Sequence, residues 1–423
     1  LFFITASCGF FILWFAGIIK ALSLSDSTDM KIGINASFLR KPGTGIGQVT
    51  ANVLRTLAQS TVNSQQSTNC RYVLYCEENP ELDFVLPENF EMKSFLPRWW
   101  RRDDVPRKWL WERELAKRAL DDGCDVLLSL YQSATDFHAS CVMPHATPVK
   151  HVMIVHDIIP KLFPEYLSKW SQRYHWRAVE RAIERADHII AVSEATKNDL
   201  IWKLLLPANK ISVAYPDINP IFAVQPSEDA IASVMKKYAL EPGYMYHGGG
   251  LEVRKNVEGV LRAYKQLTIN NQQSTKIPKL VISGKIHAKS NKLATDVEGL
   301  VKKLGLEENV RLLGFVPDED LPALYKGAIF FVYPSLYEGF GLPALEAMRM
   351  GTPVLISNVS SLSEVGGDAA LYCNPENISS IVSGIERLLA DVGLRQTLSE
   401  KASVQAKYFS QKQFTKDVLD TLL

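Results

Sequence analysis

The chain lacks most features that would betray a function by composition alone. Neither charge dominates: 47 lysines and arginines against 46 aspartates and glutamates leave +1 over 423 residues. Nothing in that net field invites a nucleic acid. Six cysteines, at 8, 70, 76, 124, 141 and 373, form no Cys-x-x-Cys pair and no spaced framework. A disulfide scaffold is thereby excluded, and reduced thiols in a cytoplasmic protein are expected. Cys141, with His138 and His145, has no fourth ligand at zinc-site spacing and reads as an ordinary loop. Internal repeats are missing, and the polar tract Gln59 to Asn69 is the only stretch approaching low complexity.

Long apolar runs are scarce, with one exception. Leu1 to Ile19 is almost continuously apolar and just long enough for a membrane span. It has no basic start and exceeds the usual apolar core of a secretory signal. Lys20, Lys31, Arg40 and Lys41 follow it, which would hold the rest at the cytoplasmic face of the inner membrane. The competing reading makes residues 1–29 an extension foreign to the fold. The chain starts with Leu rather than Met, and Met30 directly precedes Lys31-Ile-Gly-Ile-Asn35, a natural first strand.

From Met30 onward short apolar runs alternate with helical patterns, the mark of parallel α/β architecture. The runs are Tyr72 to Cys76, Val126 to Leu130, Val152 to Val155, His188 to Val192 and Ile211 to Ala214. Turn residues then cluster at Tyr215-Pro-Asp-Ile-Asn-Pro220 and Gln225-Pro-Ser-Glu-Asp229. Strand-like runs resume at Tyr244 to His247, Leu280 to Ser283, Val310 to Leu313, Ile329 to Tyr333 and Val354 to Ser357. Two doubly wound, Rossmann-like α/β halves, 30–215 and 216–408, account for this pattern.

The most informative segment is Tyr333-Pro-Ser-Leu-Tyr-Glu338-Gly-Phe-Gly-Leu-Pro-Ala-Leu-Glu346. A buried strand runs into it, and Leu342 to Met350 reads as a helix with Pro343 in its first turn. Gly339 and Gly341 let the turn close tightly, so the N–H groups of Gly339, Phe340, Gly341 and Leu342 can face an anion at the helix N-terminus. Glu338 and Glu346 flank that turn. Carboxylates repel phosphate but accept hydrogen bonds from hydroxyls. Phosphate and polyol together describe a nucleotide-sugar.

Other residues assemble around this segment. Gly248-Gly-Gly250 follows a strand, and a helix starts near Asn256, so Arg254 and Lys255 sit at a sheet's carboxyl edge, where open α/β folds bind ligands. Cations there would stabilise a leaving diphosphate. Asp318-Glu-Asp320 formally matches a metal-binding Asp-x-Asp, yet it precedes Leu321-Pro322 and reads as a helix cap. No metal and no cofactor are therefore expected. Ser193-Glu194 also reads as a cap. Pro97-Arg-Trp-Trp-Arg-Arg102 and Arg107-Lys-Trp-Leu-Trp111 fit an interfacial membrane helix through the 97–113 region, or an ordinary helix with its Trp residues turned inward.

The Glu338–Glu346 segment resembles the Glu-x7-Glu signature of glycosyltransferase family 4, retaining enzymes of the GT-B fold. The similarity extends through Val310 to Tyr325, Ala347 to Leu355, Val155 to Pro160, Val192 to Lys197 and Arg254-Lys-Asn256, covering nearly everything from Met30. The resemblance implies that Glu338 binds hydroxyls of the transferred sugar and Glu346 the ribose diol. It gives Lys255 and Arg254 the diphosphate, the backbone near Phe315 and Val316 the base, and His156 a place facing the donor sugar. The loop Gly43-Thr-Gly45-Ile-Gly47 resembles the family's Gly-rich loop at the interdomain cleft. Many members carry an arginine where Gly249 stands, so Arg254 is expected to supply that charge. The helix 409–423 is expected to cross back onto the first half. The closest similarity is to bacterial surface-polysaccharide mannosyltransferases, which implies GDP-mannose as donor, with UDP- and dTDP-sugars as alternatives, and a saccharide or lipid-linked glycan as acceptor. A retaining glycosidase and a noncatalytic nucleotide-sugar binder are the other classes in view.

Overall fold

The computed structural model describes residues 30–63, 70–77, 80–95, 105–137, 149–270, 277–286 and 291–422. The Leu1 to Ile19 segment, the Cys141 group with its two histidines, and Pro97 to Arg102 lie outside these residues. Among the described residues no helix is long and apolar enough to cross a membrane.

The strands of each sheet are buried on both faces at its centre and partly exposed at its edges, as parallel sheets covered by helices allow. In the first half these are β1 (Met30–Asn35), β2 (Cys70–Tyr75), β3 (Phe90–Lys93), β4 (Val126–Ser129), β5 (Lys150–Val155), β6 (His188–Ala191) and β7 (Ile211–Val213). They form one parallel sheet in the order β3-β2-β1-β4-β5-β6-β7. The second sheet holds β8 (Tyr244–His247), β9 (Leu280–Ser283), β10 (Val310–Gly314), β11 (Ala328–Tyr333), β12 (Val354–Ser357) and β13 (Leu371–Cys373). Its order is β10-β9-β8-β11-β12-β13, again parallel. The expected architecture of two doubly wound sheets is present. Strands β3 and β13 were not read from the sequence. Both are edge strands with partly exposed residues.

In each sheet the strand order reverses at one point, between β1 and β4 and between β8 and β11. Such switch points open a crevice at the carboxyl ends of the strands. The loops leaving β8 and β11 carry Lys255 and Glu338, so topology alone directs both residues to one crevice.

The halves are packed together. The Gln411–Leu422 helix lies against the Gly45–Asn63 helix of the first half, and Lys150 Nζ donates to Thr421 O at 3.2 Å. At the connection, Tyr215, Phe340 and Phe409 form an aromatic triad with ring centroids 5.4 to 6.1 Å apart. Arg349 bridges to Asp217 at 2.9 Å.

One expectation is corrected here, and one pair of alternatives is narrowed. Asp320 stands at the N-cap of the Leu321–Gly327 helix but makes no capping hydrogen bond. Its carboxylate accepts from Tyr238 Oη at 2.7 Å and pairs with Lys237. The Glu228–Tyr238 helix packs on this one and offers stronger donors than the helix's own amides. The described part of the Trp-rich stretch belongs to the Val105–Asp121 helix, where Trp111 is fully buried and stacks on Phe95 at 4.3 Å. Arg107 is buried against Glu77. Only Trp109, 39% exposed under the Arg113 guanidinium, keeps an outward face suited to a surface.

Candidate active site

The Leu342–Arg349 helix begins where the sequence places it. Gly341 is its N-cap in the left-handed region (φ 109°), and Pro343 occupies the first turn. No hydrogen bond to a described residue engages the N–H groups of Gly339, Phe340, Gly341 or Leu342. Four unengaged amides at a helix start make a site for an anion. Gly339 must be glycine, because a Cβ there would meet the His156 carbonyl oxygen at 1.9 Å. That contact joins the two halves backbone to backbone. The Phe340 ring sits in the aromatic triad, so only its N–H is available to a ligand.

Glu338 is buried, and both its oxygens are occupied. Oε1 accepts from Lys255 Nζ at 2.7 Å, Tyr333 Oη at 2.7 Å and Ser335 Oγ at 2.8 Å. Oε2 accepts from Lys255 Nζ at 2.9 Å and Arg254 Nη1 at 3.0 Å. Burial opposes ionisation of this carboxyl, but the Lys255 and Arg254 charges prevail and hold it down at about 2. Burial pulls Lys255 below its ordinary value, with Glu338 working in the opposite direction. We take the pair as ionic, since Glu338 is the carboxylate that Lys255 pairs with and Arg254 adds a second cation to the same carboxylate.

The cations reach this position through a short turn, Val253–Lys255, ended by Asn256 in the left-handed region (φ 59°). The Asn256 side chain donates to Pro334 O and Pro375 O, which pins the turn to the segment before Glu338. Arg254 also donates to Tyr337 O at 3.1 Å. Gly249 is not a vacated cation position: its φ is 89°, and a Cβ would lie 2.4 Å from Pro343 Cγ. The β8 loop instead backs the turn with bare backbone.

Glu346 lies on the same helix, also buried, and accepts from Tyr325 Oη at 2.8 Å. Burial outweighs that hydrogen bond and pushes its carboxyl up to about 7. The two glutamates thus differ in protonation because one has cations beside it and the other does not.

From the first half, His156 is buried at the end of β5, its Nε2 2.9 Å from Leu130 O. That contact makes Nε2 the protonated nitrogen, and burial lowers the ring's pKa to about 4, so the imidazole is neutral. Asp157 accepts from Ile159 N at 2.9 Å and orders the loop. Gly45 and Gly47 fall in the first turn of the Gly45–Asn63 helix rather than in a loop ahead of it, because Thr44 Oγ1 accepts from Gly47 N and caps that helix early. A Cβ on Gly45 would touch Leu342 Cδ1 at 3.4 Å, so the first-half glycines border the second-half turn. Phe315, 71% exposed, and buried Val316 follow β10.

Sequence reasoning gave no role to Tyr333, Ser335 or the hydroxyls of Thr196 and Ser361, and none beyond a cap to Ser193. All lie inside matched motifs or close to them, but a hydroxyl that holds a carboxylate or a carbonyl leaves no spacing signal. Ser193 does cap the Glu194–Lys203 helix through Thr196 N, as expected.

Comparison with known proteins identifies the family and the fold. Residues 45–220 match the model of Glycosyltransferase Family 4, and residues 236–405 that of Glycosyl transferases group 1. O-antigen chain mannosyltransferase B of Escherichia coli is 36% identical over 280 residues, 66% of this chain and 71% of that protein. The serotype-specific mannosyltransferase WbdA of Escherichia coli is 33% identical over 67% of this chain, which spans only 34% of WbdA. Among solved structures, sucrose-phosphate synthase from Thermosynechococcus elongatus superposes with a TM-score of 0.71 at 17% identity, over 93% of this chain and 98% of that one. HepE of Anabaena, in complex with UDP and glucose, gives 0.68 at 18%, over 93% and 98%. Identities this low speak for the GT-B fold alone. With both family models matched and a relative aligned over most of its own length, the chain belongs to the group 1 and family 4 glycosyltransferases.

Proposed function

We propose that this glycosyltransferase moves mannose from GDP-mannose to a saccharide or lipid-linked glycan in cell-surface polysaccharide assembly, with retention at the anomeric carbon. The observation that carries the reading is the juxtaposition of four unengaged amides at Gly339 to Leu342 with the Lys255–Arg254 pair around Glu338. Amides and cations suit a diphosphate, and carboxylates beside them suit hydroxyls. Two relatives named as mannosyltransferases, one of them of the O-antigen chain, support the sugar and the pathway class.

In this reading the β- and α-phosphates rest on the turn amides and draw Lys255 and Arg254 partly away from Glu338. The freed carboxylate then accepts hydroxyls of the mannosyl ring, and Glu346 accepts the ribose diol. As the glycosidic C–O bond breaks, negative charge grows on the leaving phosphate and the two cations stabilise it. Attack comes from the same face, and the leaving phosphate takes the acceptor proton. Neutral His156, with Nε2–H committed to Leu130 O, borders the sugar. Lys255, Arg254 and the amides do work that a metal does in other transferases, so transfer proceeds without one.

A glycosidase would also pair one lowered with one raised carboxyl. Four side-chain donors on Glu338 favour holding a ligand over covalent attack. A panel of nucleotide-sugars scored by thermal shift tests the donor. A specific donor at 100 times its dissociation constant adds about 2.7 kcal/mol of stability. GDP-mannose should give the largest shift and support transfer. Stabilisation by UDP- or dTDP-sugars alone would replace it as donor, and release of sugar from an oligosaccharide without nucleotide would favour the glycosidase. The enzyme would work at the cytoplasmic face of the inner membrane, with Trp109 as the contact within 97–113. Sedimentation with anionic vesicles, lost in Trp109→Ala, is the check on that placement.

A further inference from the structure

The carbonyls of the Glu338–Phe340 turn are held by hydroxyls, and the two on Gly339 O come from the other half of the molecule. Ser361 Oγ lies 2.9 Å from Glu338 O and 2.7 Å from Phe340 O. Gly339 O, between them in sequence, accepts instead from Ser193 Oγ at 2.7 Å, with Thr196 Oγ1 at 3.2 Å. Ser193 stands at the N-cap of the Glu194–Lys203 helix in the first half.

This helix start is tied to the second half by a second contact. The Glu364 carboxylate accepts from Glu194 N at 2.8 Å and Ala195 N at 2.7 Å, and Tyr215 Oη adds a bond at 3.0 Å. The first two amides of the helix are therefore capped from across the interface, and Ser193 Oγ accepts from the third, Thr196 N, at 3.0 Å. Capping uses only the lone pairs of the Ser193 hydroxyl. Its proton remains, and Gly339 O at 2.7 Å is a nearer acceptor for it than Thr196 Oγ1 at 3.1 Å.

A peptide unit is rigid, with C=O and N–H antiparallel, so fixing Gly339 O fixes the direction of Phe340 N–H. Glycine on one side of that peptide leaves it unusually free to rotate, so an external hold matters here. We propose that Ser193 is a positioning residue for the donor diphosphate: its hydroxyl, reaching across from the first half, sets the Gly339–Phe340 peptide and with it the Phe340 N–H in the anion-binding turn. The inference rests on the phosphate reading of that turn. The turn is complete only while the two halves are in contact.

The test uses the full chain with Ser193→Ala and Ser193→Thr, titrated with GDP and UDP, alongside melting temperature and steady-state kinetics. Losing one hydrogen bond that orients a binding group should weaken diphosphate affinity about 3- to 10-fold in Ser193→Ala and raise the donor KM. Ser193→Thr keeps both lone pairs and proton, and should return affinity to within about 2-fold of wild type, less than the loss of one such bond. Should Ser193→Ala fail to fold, Glu364→Ala loosens the same contact without touching Ser193, and the same fall in affinity is expected. A lower melting temperature with unchanged diphosphate affinity and KM would show a helix cap and nothing more, and overturns the proposal. If wild-type protein binds neither GDP nor UDP, the phosphate reading falls and takes this inference with it. Binding by wild type and Ser193→Ala alike overturns this inference alone.

Discussion

Lys255 Nζ lies 2.7 Å from Oε1 and 2.9 Å from Oε2 of Glu338, a residue 83 positions away in the chain. In this arrangement the cation proposed for the diphosphate and the anion proposed for the sugar satisfy each other. Both are buried, so each is the other's main compensation for lost hydration. A donor that carries its own negative charge can compete for Lys255, and its hydroxyls can then replace the ammonium on Glu338. Charge balance in the crevice is kept throughout.

That pairing decides which substitution tests Glu338. Glu338→Ala strands Lys255 and Arg254 without their counter-ion and should cost about 3–5 kcal/mol of stability. Glu338→Gln keeps the shape and removes the charge. Its turnover should fall about 10²- to 10³-fold, as for loss of one electrostatic contact to the reacting group. Nucleoside diphosphate affinity should hold or rise, because the cations are released to the phosphates. Near-normal turnover in folded Glu338→Gln, measured beside calorimetric GDP titration, would remove the sugar-binding role.

Lys255→Ala should cost more than Arg254→Ala, chiefly in the chemical step. Lys255 touches both Glu338 oxygens and Tyr333 Oη, whereas Arg254 also spends a donor on Tyr337 O. A buried ammonium is stabilised further as charge builds on the leaving group, so its loss raises the barrier more than it weakens binding. Single-turnover rates of both folded variants decide this. Small, equal changes confined to KM would make the turn a lining of the crevice only.

Donor affinity should rise with pH through about 7 because of Glu346. Burial raises this carboxyl, so the folded protein binds a proton that the unfolded chain has lost, and stability falls as pH climbs from the ordinary carboxyl value to about 7. Above that value the ionised side chain can accept from both ribose hydroxyls. Binding curves between pH 6 and 8 should show the rise in wild type and lose it in Glu346→Gln. A flat wild-type profile would separate Glu346 from the ribose.

Transfer should survive exhaustive chelation. The carboxylate most open to a metal reading, Asp320, is already engaged by Lys237 and Tyr238. Activity abolished by EDTA and restored by magnesium or manganese would assign the charge stabilisation to a metal instead of Lys255.

What the sequence determined by itself was local. The alternation of apolar runs set eleven of the thirteen strands, and Gly341 with Pro343 set where the helix after Glu338 begins. Both follow from backbone preferences and burial periods acting over a few residues, which a single sequence displays. The edge strands β3 and β13, partly exposed, were not set this way. Tertiary structure alone decided partners. Asp320 read as a cap and turned out to serve a neighbouring helix, because the nearest strong donors came from residues 237 and 238. Gly249 read as a missing arginine and proved to be a place with no room for a side chain beside Pro343. Trp111 and Arg107 read as a membrane face or as a core, and packing against Phe95 and Glu77 put them in the core. Ser193 read as a cap, and its second bond to Gly339 O exists only because two sheets meet. Charge pairing, steric room and hydroxyl donation depend on distances between segments far apart in the chain, and those distances come into being only when the two halves pack.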